Sequence, residues 1–252
     1  MRRAKRASLF QMMGPFLRKR TWYAVRRLTG IRLSPRINYL DWWMIAADFP
    51  APVDRVRQAL PSVGLSPVEI APGTTTVCLM ARENRRLDPG LPYGEVGVMV
   101  PVVHPPTSAL PGYWVLHMPV TTDEALWSGR EIFAVPKSLA EISFGLATDR
   151  RSARVSIGGR HVLTLEVEEQ PTRPYSGDTY YYAMRGGKVL RAREAVRGEA
   201  GLAEGRGARY ILGDHPIADA VRRLGLGMEA VSSRYAPHME SFLEPPVVQP
   251  RP

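Results

Sequence analysis

From residue 39 onward the chain is a succession of short β-branched and aromatic runs broken by glycine and proline, which leaves little room for a helical fold. Residues 74–81, 95–103 and 113–120 are the clearest strands, and the aromatic-rich residues 39–49 read as the opening of a sheet. Gly158-Gly159-Arg160 separates residues 154–157 from 161–167, and Gly186-Gly187 separates 179–184 from 188–192. Glycines between two β runs mark hairpin turns, because such turns need positive φ. Residues 209–212 add a further short strand. Helical spacing is confined to two places in this region. One is residues 53–60, ended by Pro61. In the other, Asp214 or His215 can cap, Pro216 takes the first position, Ile217, Ala220, Val221 and Leu224 share a face, and Gly225 is the stop. The glycine-rich stretch 198–207 has no phosphate-loop pattern and reads as a mobile loop. The fold class is therefore α+β, mainly antiparallel β: a barrel or sandwich able to enclose a pocket, with peripheral helices.

The formal net charge is +10, but it is unevenly placed. Residues 1–40 hold eleven of the 34 lysines and arginines and no acid, which leaves 23 basic and 24 acidic residues in the remainder. The chain divides into a basic arm, 1–36, and a near-neutral body, 37–252. Trp22, Val25 and Leu28 give the arm a short amphipathic helix ending at Gly30. A neutral body without a nucleic-acid motif argues against a nucleic-acid partner. The arm is expected to pack on a neighbouring subunit of a homo-oligomer, with contact to a membrane or another anionic surface as the alternative. No apolar stretch approaches the ~18 residues of a membrane span, and the N-terminus lacks the apolar core of a secretory signal. Cys78 is the single cysteine, which excludes an internal disulfide and a cysteine metal cage. The five histidines have no metal-ligand spacing. A cytoplasmic protein with neither metal nor cofactor is expected.

Only four of the 34 basic residues are lysine: Lys5, Lys19, Lys137 and Lys188. Arginine stays protonated and is no amine nucleophile, whereas a lysine amine can be. Lys137 follows the uncharged run Ile132-Phe133-Ala134-Val135-Pro136. Pro136 fixes its own φ and biases Val135 toward an extended conformation, so the run presents Lys137 from a rigid, dry segment. Burial disfavours an ammonium ion, and a neutral amine attacks a ketone to give an imine. The protonated imine stabilises a carbanion on the next carbon. That one device serves decarboxylation, aldol or retro-aldol cleavage, and dehydration. Of the other candidates, His117 lies in a strand and faces either a pocket or the core. One hydroxyl of Tyr180-Tyr181-Tyr182 can reach a pocket.

Gly129-Arg130-Glu131, Pro136-Lys137 and Leu139 resemble the active-site segment of the acetoacetate decarboxylase family. Tyr93-Gly94-Glu95-Val96 with Val100-Pro101-Val102 resembles the family strand that carries an active-site glutamate, and His215-Pro216-Ile217-Ala218-Asp219 with Leu224-Gly225 resembles its C-terminal helix. The resemblance spans roughly residues 38–245. It implies Lys137 as the Schiff-base nucleophile and Glu95 as an acid/base or substrate-orienting group, with Arg130 and Glu131 holding the segment in place. Four features depart from the family pattern. Ser138 replaces a second lysine, Val135 replaces an aromatic residue, the stretch 47–50 has no arginine, and 78–80 has no glutamate. Without that arginine, a substrate larger and less acidic than acetoacetate is expected. The resemblance implies a Schiff-base-forming lyase acting on a small-molecule keto substrate by aldol, dehydration, cyclisation or decarboxylation chemistry, in specialised metabolism. The alternative is the same fold without imine chemistry, its pocket serving another reaction or ligand binding.

Overall fold

The computed structural model describes residues 36–250 apart from 89, 106–107, 148 and 206; the basic arm and its expected helix lie outside the described residues. In chain order the strands are β1 (Ile37–Pro52), β2 (Ser66–Pro67), β3 (Glu69–Ala71), β4 (Thr74–Asp88), β5 (Tyr93–His104), β6 (Ser108–Val120), β7 (Lys137–Leu139) and β8 (Glu141–Leu146). They continue with β9 (Arg150–Ile157), β10 (Arg160–Glu168), β11 (Arg173–Arg185), β12 (Lys188–Glu204), β13 (Ala208–Leu212), β14 (Ser232–Leu243) and β15 (Val247–Val248). Three helices join them: α1 (Val53–Ala59), α2 (Asp123–Glu131) and α3 (Pro216–Leu224).

The path β5-β4-β1-β14-β12-β11-β6 closes on itself because β6 pairs with β5, giving a seven-stranded barrel. Its contacts are antiparallel except where β6 meets β11. A second sheet, β13-β10-β9-β8, lies against one side. Strand alternation sorts the side chains into two cores. On β4, Val77, Leu79 and Ala81 join Val155, Leu163 and Leu165 of the second sheet, while Cys78 and Met80 belong to the barrel interior. On β5, Val96, Val98 and Val100 face the second sheet, and Tyr93 and Met99 face inward. Both faces of these strands are buried, which accounts for their nearly unbroken apolar runs.

The hairpins fall where the glycine pairs place them. Ile157 pairs with Arg160 around Gly158 and Gly159 (φ 57° and 74°), and Arg185 pairs with Lys188 around Gly186 and Gly187 (φ 55° and 71°). The helix at 216 is present, capped by His215, whose Nδ1 accepts from the Ile217 N–H at 3.1 Å, and stopped by Gly225. Three expectations change. The stretch 198–207 is mostly strand rather than loop: β12 runs through Glu204, and Gly198 is needed because a Cβ there would lie 2.3 Å from the His238 carbonyl oxygen on β14. Strand β4, read only as far as residue 81, runs on to Asp88 through a charged segment in which Arg85, Arg86 and Asp88 are exposed. Helix α2, capped by the Thr122 hydroxyl and carrying Asp123 and Glu124 in its first turn, holds Gly129-Arg130-Glu131 at its end.

Candidate active site

Lys137 opens β7, which pairs in parallel with the end of β6, so the lysine side chain enters the barrel beside Met118. Three local features set it there. Ala134 takes a left-handed φ of 57° and turns the chain sharply before Pro136. Such a conformation costs a non-glycine residue on the order of 1–2 kcal/mol and persists only where surrounding bonds fix it. Here the Val135 N–H donates to the Gly129 carbonyl at 2.9 Å, and Arg130 Nε donates to the Lys137 carbonyl at 2.7 Å. The Lys137 stem lies directly on Gly129: a Cβ at that position would sit 2.3 Å from Lys137 Cδ and 2.7 Å from Cε. The glycine and arginine of the Gly-Arg-Glu motif thus hold the lysine, one by absence of bulk and one by a hydrogen bond.

Lys137 Nζ donates to Glu95 Oε2 at 3.1 Å, and both side chains are under 10% exposed. The amine also lies 5.0 Å from the centre of the Tyr93 ring. Burial acts to raise the Glu95 carboxyl, but the charges of Lys137 and Arg82 outweigh it and hold the group below its usual range. The pair lines a cavity of about 60 Å³ inside the barrel, whose other walls include Met80, Val115, Met118, Phe133, Leu190 and Leu243.

A second polar group lines the same cavity. Arg82 on β4 is 4% exposed, with its guanidinium carbon 4.2 Å from the Tyr39 ring centre and 3.9 Å from that of Trp42. Its Nη1 donates to Glu194 Oε1 at 2.8 Å and its Nη2 to Ser241 Oγ at 3.1 Å. Glu194 accepts further hydrogen bonds from Ser241 Oγ (2.6 Å) and Tyr181 Oη (2.9 Å). Tyr39 and Tyr93 share a hydroxyl contact of 3.1 Å, which continues the polar line from Arg82 to Lys137. Burial raises the phenol pKa of Tyr93 and Tyr181 well above the ordinary value, so these hydroxyls act as neutral hydrogen-bonding groups.

The residues singled out from the sequence separate clearly. Lys137 and Glu95 meet in the cavity. Arg130 and Glu131 are exposed and act from behind it: besides the Arg130 bond to Lys137, both of their carbonyls accept from Arg185 Nη2, at 3.3 and 2.7 Å. Ser138 follows Lys137 on the strand, pairs with Pro119 and does not line the cavity. His117 does not line it either; burial and the nearby charges of Arg223 and His215, on the α3 side, lower its pKa. Of the tyrosine run, Tyr181 reaches the cavity, whereas Tyr182 turns away and donates to the Leu110 carbonyl at 3.2 Å. The stretches 47–50 and 78–80, where the resemblance points to an arginine and a glutamate, include Asp48 and Cys78. These are paired across β1 and β4, and Arg234 Nη2 donates to Asp48 at 2.8 Å and to Cys78 Sγ at 3.4 Å. Arg82 and Glu194 were missed because the readable strand patterns stop at 81 and 192, one or two residues short of each. Among the described residues no group of three or more side chains could hold a metal ion, and no helix is long and apolar enough to cross a membrane.

The buried lysine–glutamate pair thus lies in a small cavity inside a closed barrel. The chain belongs to the acetoacetate decarboxylase family, whose profile matches residues 25–241. Solved structures agree in fold. An acetoacetate decarboxylase from Legionella pneumophila superposes with a TM-score of 0.66 at 14% identity, covering 86% of this chain and 88% of that one. The enduracididine biosynthesis enzyme MppR, complexed with the condensation product of pyruvate and imidazole 4-carboxaldehyde, gives 0.63 at 15% identity over 85% and 89%. An acetoacetate decarboxylase-like enzyme from Sphingomonas wittichii gives 0.59 at 13% identity over 86% and 94%. No curated protein matches the sequence.

Proposed function

We propose that this protein is a Schiff-base-forming lyase acting on a small keto substrate, with Lys137 as nucleophile and Glu95 as its proton partner. The observation that carries this reading is the 3.1 Å contact between a buried amine and a buried carboxylate inside a cavity. Family membership and the pyruvate-derived ligand of MppR support it. Glu95 takes a proton from Nζ, and the free amine adds to the substrate carbonyl. Glu95 returns that proton to the departing hydroxyl, so loss of water gives a protonated imine and leaves Glu95 ionised. Glu95 then exchanges a proton with the carbon next to the imine, forming or consuming an enamine. Carbon–carbon bond formation, cleavage or dehydration follows from that enamine. Arg82 does not lose its proton, and the raised phenols ionise poorly, so among these cavity groups Glu95 is the natural proton carrier.

Enamine formation is read directly by proton exchange. Nuclear magnetic resonance in heavy water should show the wild type accelerating deuterium uptake at the methyl groups of acetone or pyruvate. Lys137→Arg should abolish that acceleration while keeping the native melting temperature, and Glu95→Gln should slow it by at least about a hundredfold, the usual scale of a lost acid/base group. Exchange that survives Lys137→Arg would remove the amine from the mechanism.

A further inference from the structure

The polar groups of the cavity lie deep in the barrel: Lys137, Glu95, Arg82 and Glu194 are each under 10% exposed. Apart from Tyr181, the half-buried residues of the lining are Ser128, Val135, Leu243 and Pro246. Solvent therefore meets the cavity where three segments converge. These are the turn from α2 into β7, the hairpin of β11 and β12 that brings Ala183 and Leu190, and the stretch that follows β14. The cavity, at about 60 Å³, is less than half the ~150 Å³ that accommodates benzene. A molecule of that size reaches Lys137 only when one of the three segments moves.

Two of them cannot move without dismantling the site. The turn carries Lys137 itself, seated on Gly129 and tied by the Arg130 bond. The strands of the hairpin carry Tyr181 and Glu194, and Arg185 fastens the hairpin to the turn through the Arg130 and Glu131 carbonyls. The third segment brings no polar group to the cavity. Leu243, the last residue of β14, is held by its pairing with Ile37 and Glu194. Beyond it, the N–H groups of Glu244 and Gln249 donate to the carbonyls of Arg193 and Val189 on β12, each at 2.8 Å. A half-exposed ion pair between Arg193 and Glu244, also 2.8 Å, adds to the first anchor. Between the anchors, Pro245 and Pro246 have no N–H to donate. Val247 and Val248 of β15 pair with Arg191 and Leu190, and their side chains are more than half exposed. Loss of these few bonds to β12 frees residues 244–249 while Lys137, Glu95 and Arg82 stay in place. Segments with exposed backbone bonds and little buried apolar surface are the ones that open locally.

We propose that residues 244–249 are a strap that opens and closes the mouth of the Lys137 cavity, and that Pro246 on it is a size-determining residue for the carbonyl compounds that enter. With the strap closed, the Pro246 ring completes the cavity wall and confines it to small carbonyl compounds. With the strap open, an apolar rim of Ile37, Val135, Leu190 and Leu243 remains, against which the hydrocarbon part of a larger carbonyl compound packs while its carbonyl reaches Lys137. The inference rests on the reaction proposed above only in taking the entering molecule as a substrate.

Reductive alkylation reads access without enzymatic chemistry, because an aldehyde with cyanoborohydride alkylates any lysine amine it reaches. The full chain is treated with formaldehyde or with benzaldehyde, whose ring by itself needs the ~150 Å³ of a benzene site. Mass spectrometry then compares the Lys137 peptide with that of the exposed Lys188. An open state populated at about 10% or less should lower the Lys137-to-Lys188 ratio at least about tenfold for benzaldehyde relative to formaldehyde in the wild type. Deletion of residues 245–252 and Pro246→Gly should each remove most of that difference. Labelling of Lys137 that appears only in these variants also supports the strap. Equal labelling by both aldehydes in the wild type overturns the proposal. So does a size difference that persists in a variant of native melting temperature, or a Lys137 left unlabelled in wild type and variants alike. Should the deletion impair folding, Pro246→Gly decides alone. Borohydride trapping with pyruvate separates this from the imine reading. Relief of the size difference without a pyruvate adduct keeps the strap and removes the imine; an adduct with the size difference unrelieved does the reverse.

Discussion

Two buried ion pairs share one small cavity, and their neighbours give them different work. Glu194 accepts from Arg82, Ser241 and Tyr181, so the Arg82–Glu194 pair is fixed and fully bonded on the carboxylate side. Glu194→Ala leaves a buried guanidinium without its counter-charge and should destabilise the protein by about 3–5 kcal/mol in urea unfolding. Arg197→Ala breaks a pair of similar length, 2.7 Å to Glu240, whose side chains are 77% and 51% exposed. It should cost no more than about 1 kcal/mol, because water screens the pair. The Lys137–Glu95 pair has a pH signature of its own. The Glu95 carboxyl is held below its ordinary range in the folded protein, so it contributes stability in full above the unfolded value of about 4.3. That contribution is lost as pH falls through the lowered folded value. Urea midpoints measured from about pH 6 downward should therefore fall with acid, and Glu95→Gln should flatten that fall.

At the scale of elements, the unit that matters is α2 with the turn into β7. Its signals are in the sequence as separate marks: Thr122 before two acids, Gly129 and Pro136. They become one device only when the chain folds back so that Lys137 lies on Gly129. Gly129→Ala tests the device. Alanine favours helix by about 1 kcal/mol over glycine, and overpacking against the lysine stem costs about 1–3 kcal/mol. The stability change should therefore be small, within about 2 kcal/mol, while proton exchange on pyruvate falls at least about tenfold as Nζ is pushed from its place. Unchanged exchange in Gly129→Ala would show that the amine need not sit where the glycine allows it. Six of the seven barrel strands, in whole or in part, and both glycine hairpins were legible because apolar alternation and paired glycines are local signals; β14, interrupted by Pro237 and by charged residues, was not. The far halves of β4 and β12 were not. A barrel that buries arginine and glutamate on its inner face gives those strands a charged sequence, and Arg82, Asn84 and Glu194 read as the ends of strands. Glu95 was found only through the motif around it, since alternation alone would also class it as an interruption.

For the molecule as a whole, closure of the barrel is what makes one lysine special. The second sheet packs on the outside of β4 and β5 and leaves their inner faces to the cavity, so the fold carries one core between the sheets and another around the cavity. The division between a neutral body and a basic arm is visible in composition, and the described domain builds its site from residues of the body. The central claim is that Lys137 forms a covalent imine with a keto compound. The most direct test is sodium borohydride reduction of the full chain in the presence of pyruvate, followed by proteolysis and mass spectrometry of the Lys137 peptide. The account predicts a stable adduct on Lys137 that requires both reductant and pyruvate and disappears in Lys137→Arg. Turnover or exchange of a keto compound with no adduct on that peptide would contradict it.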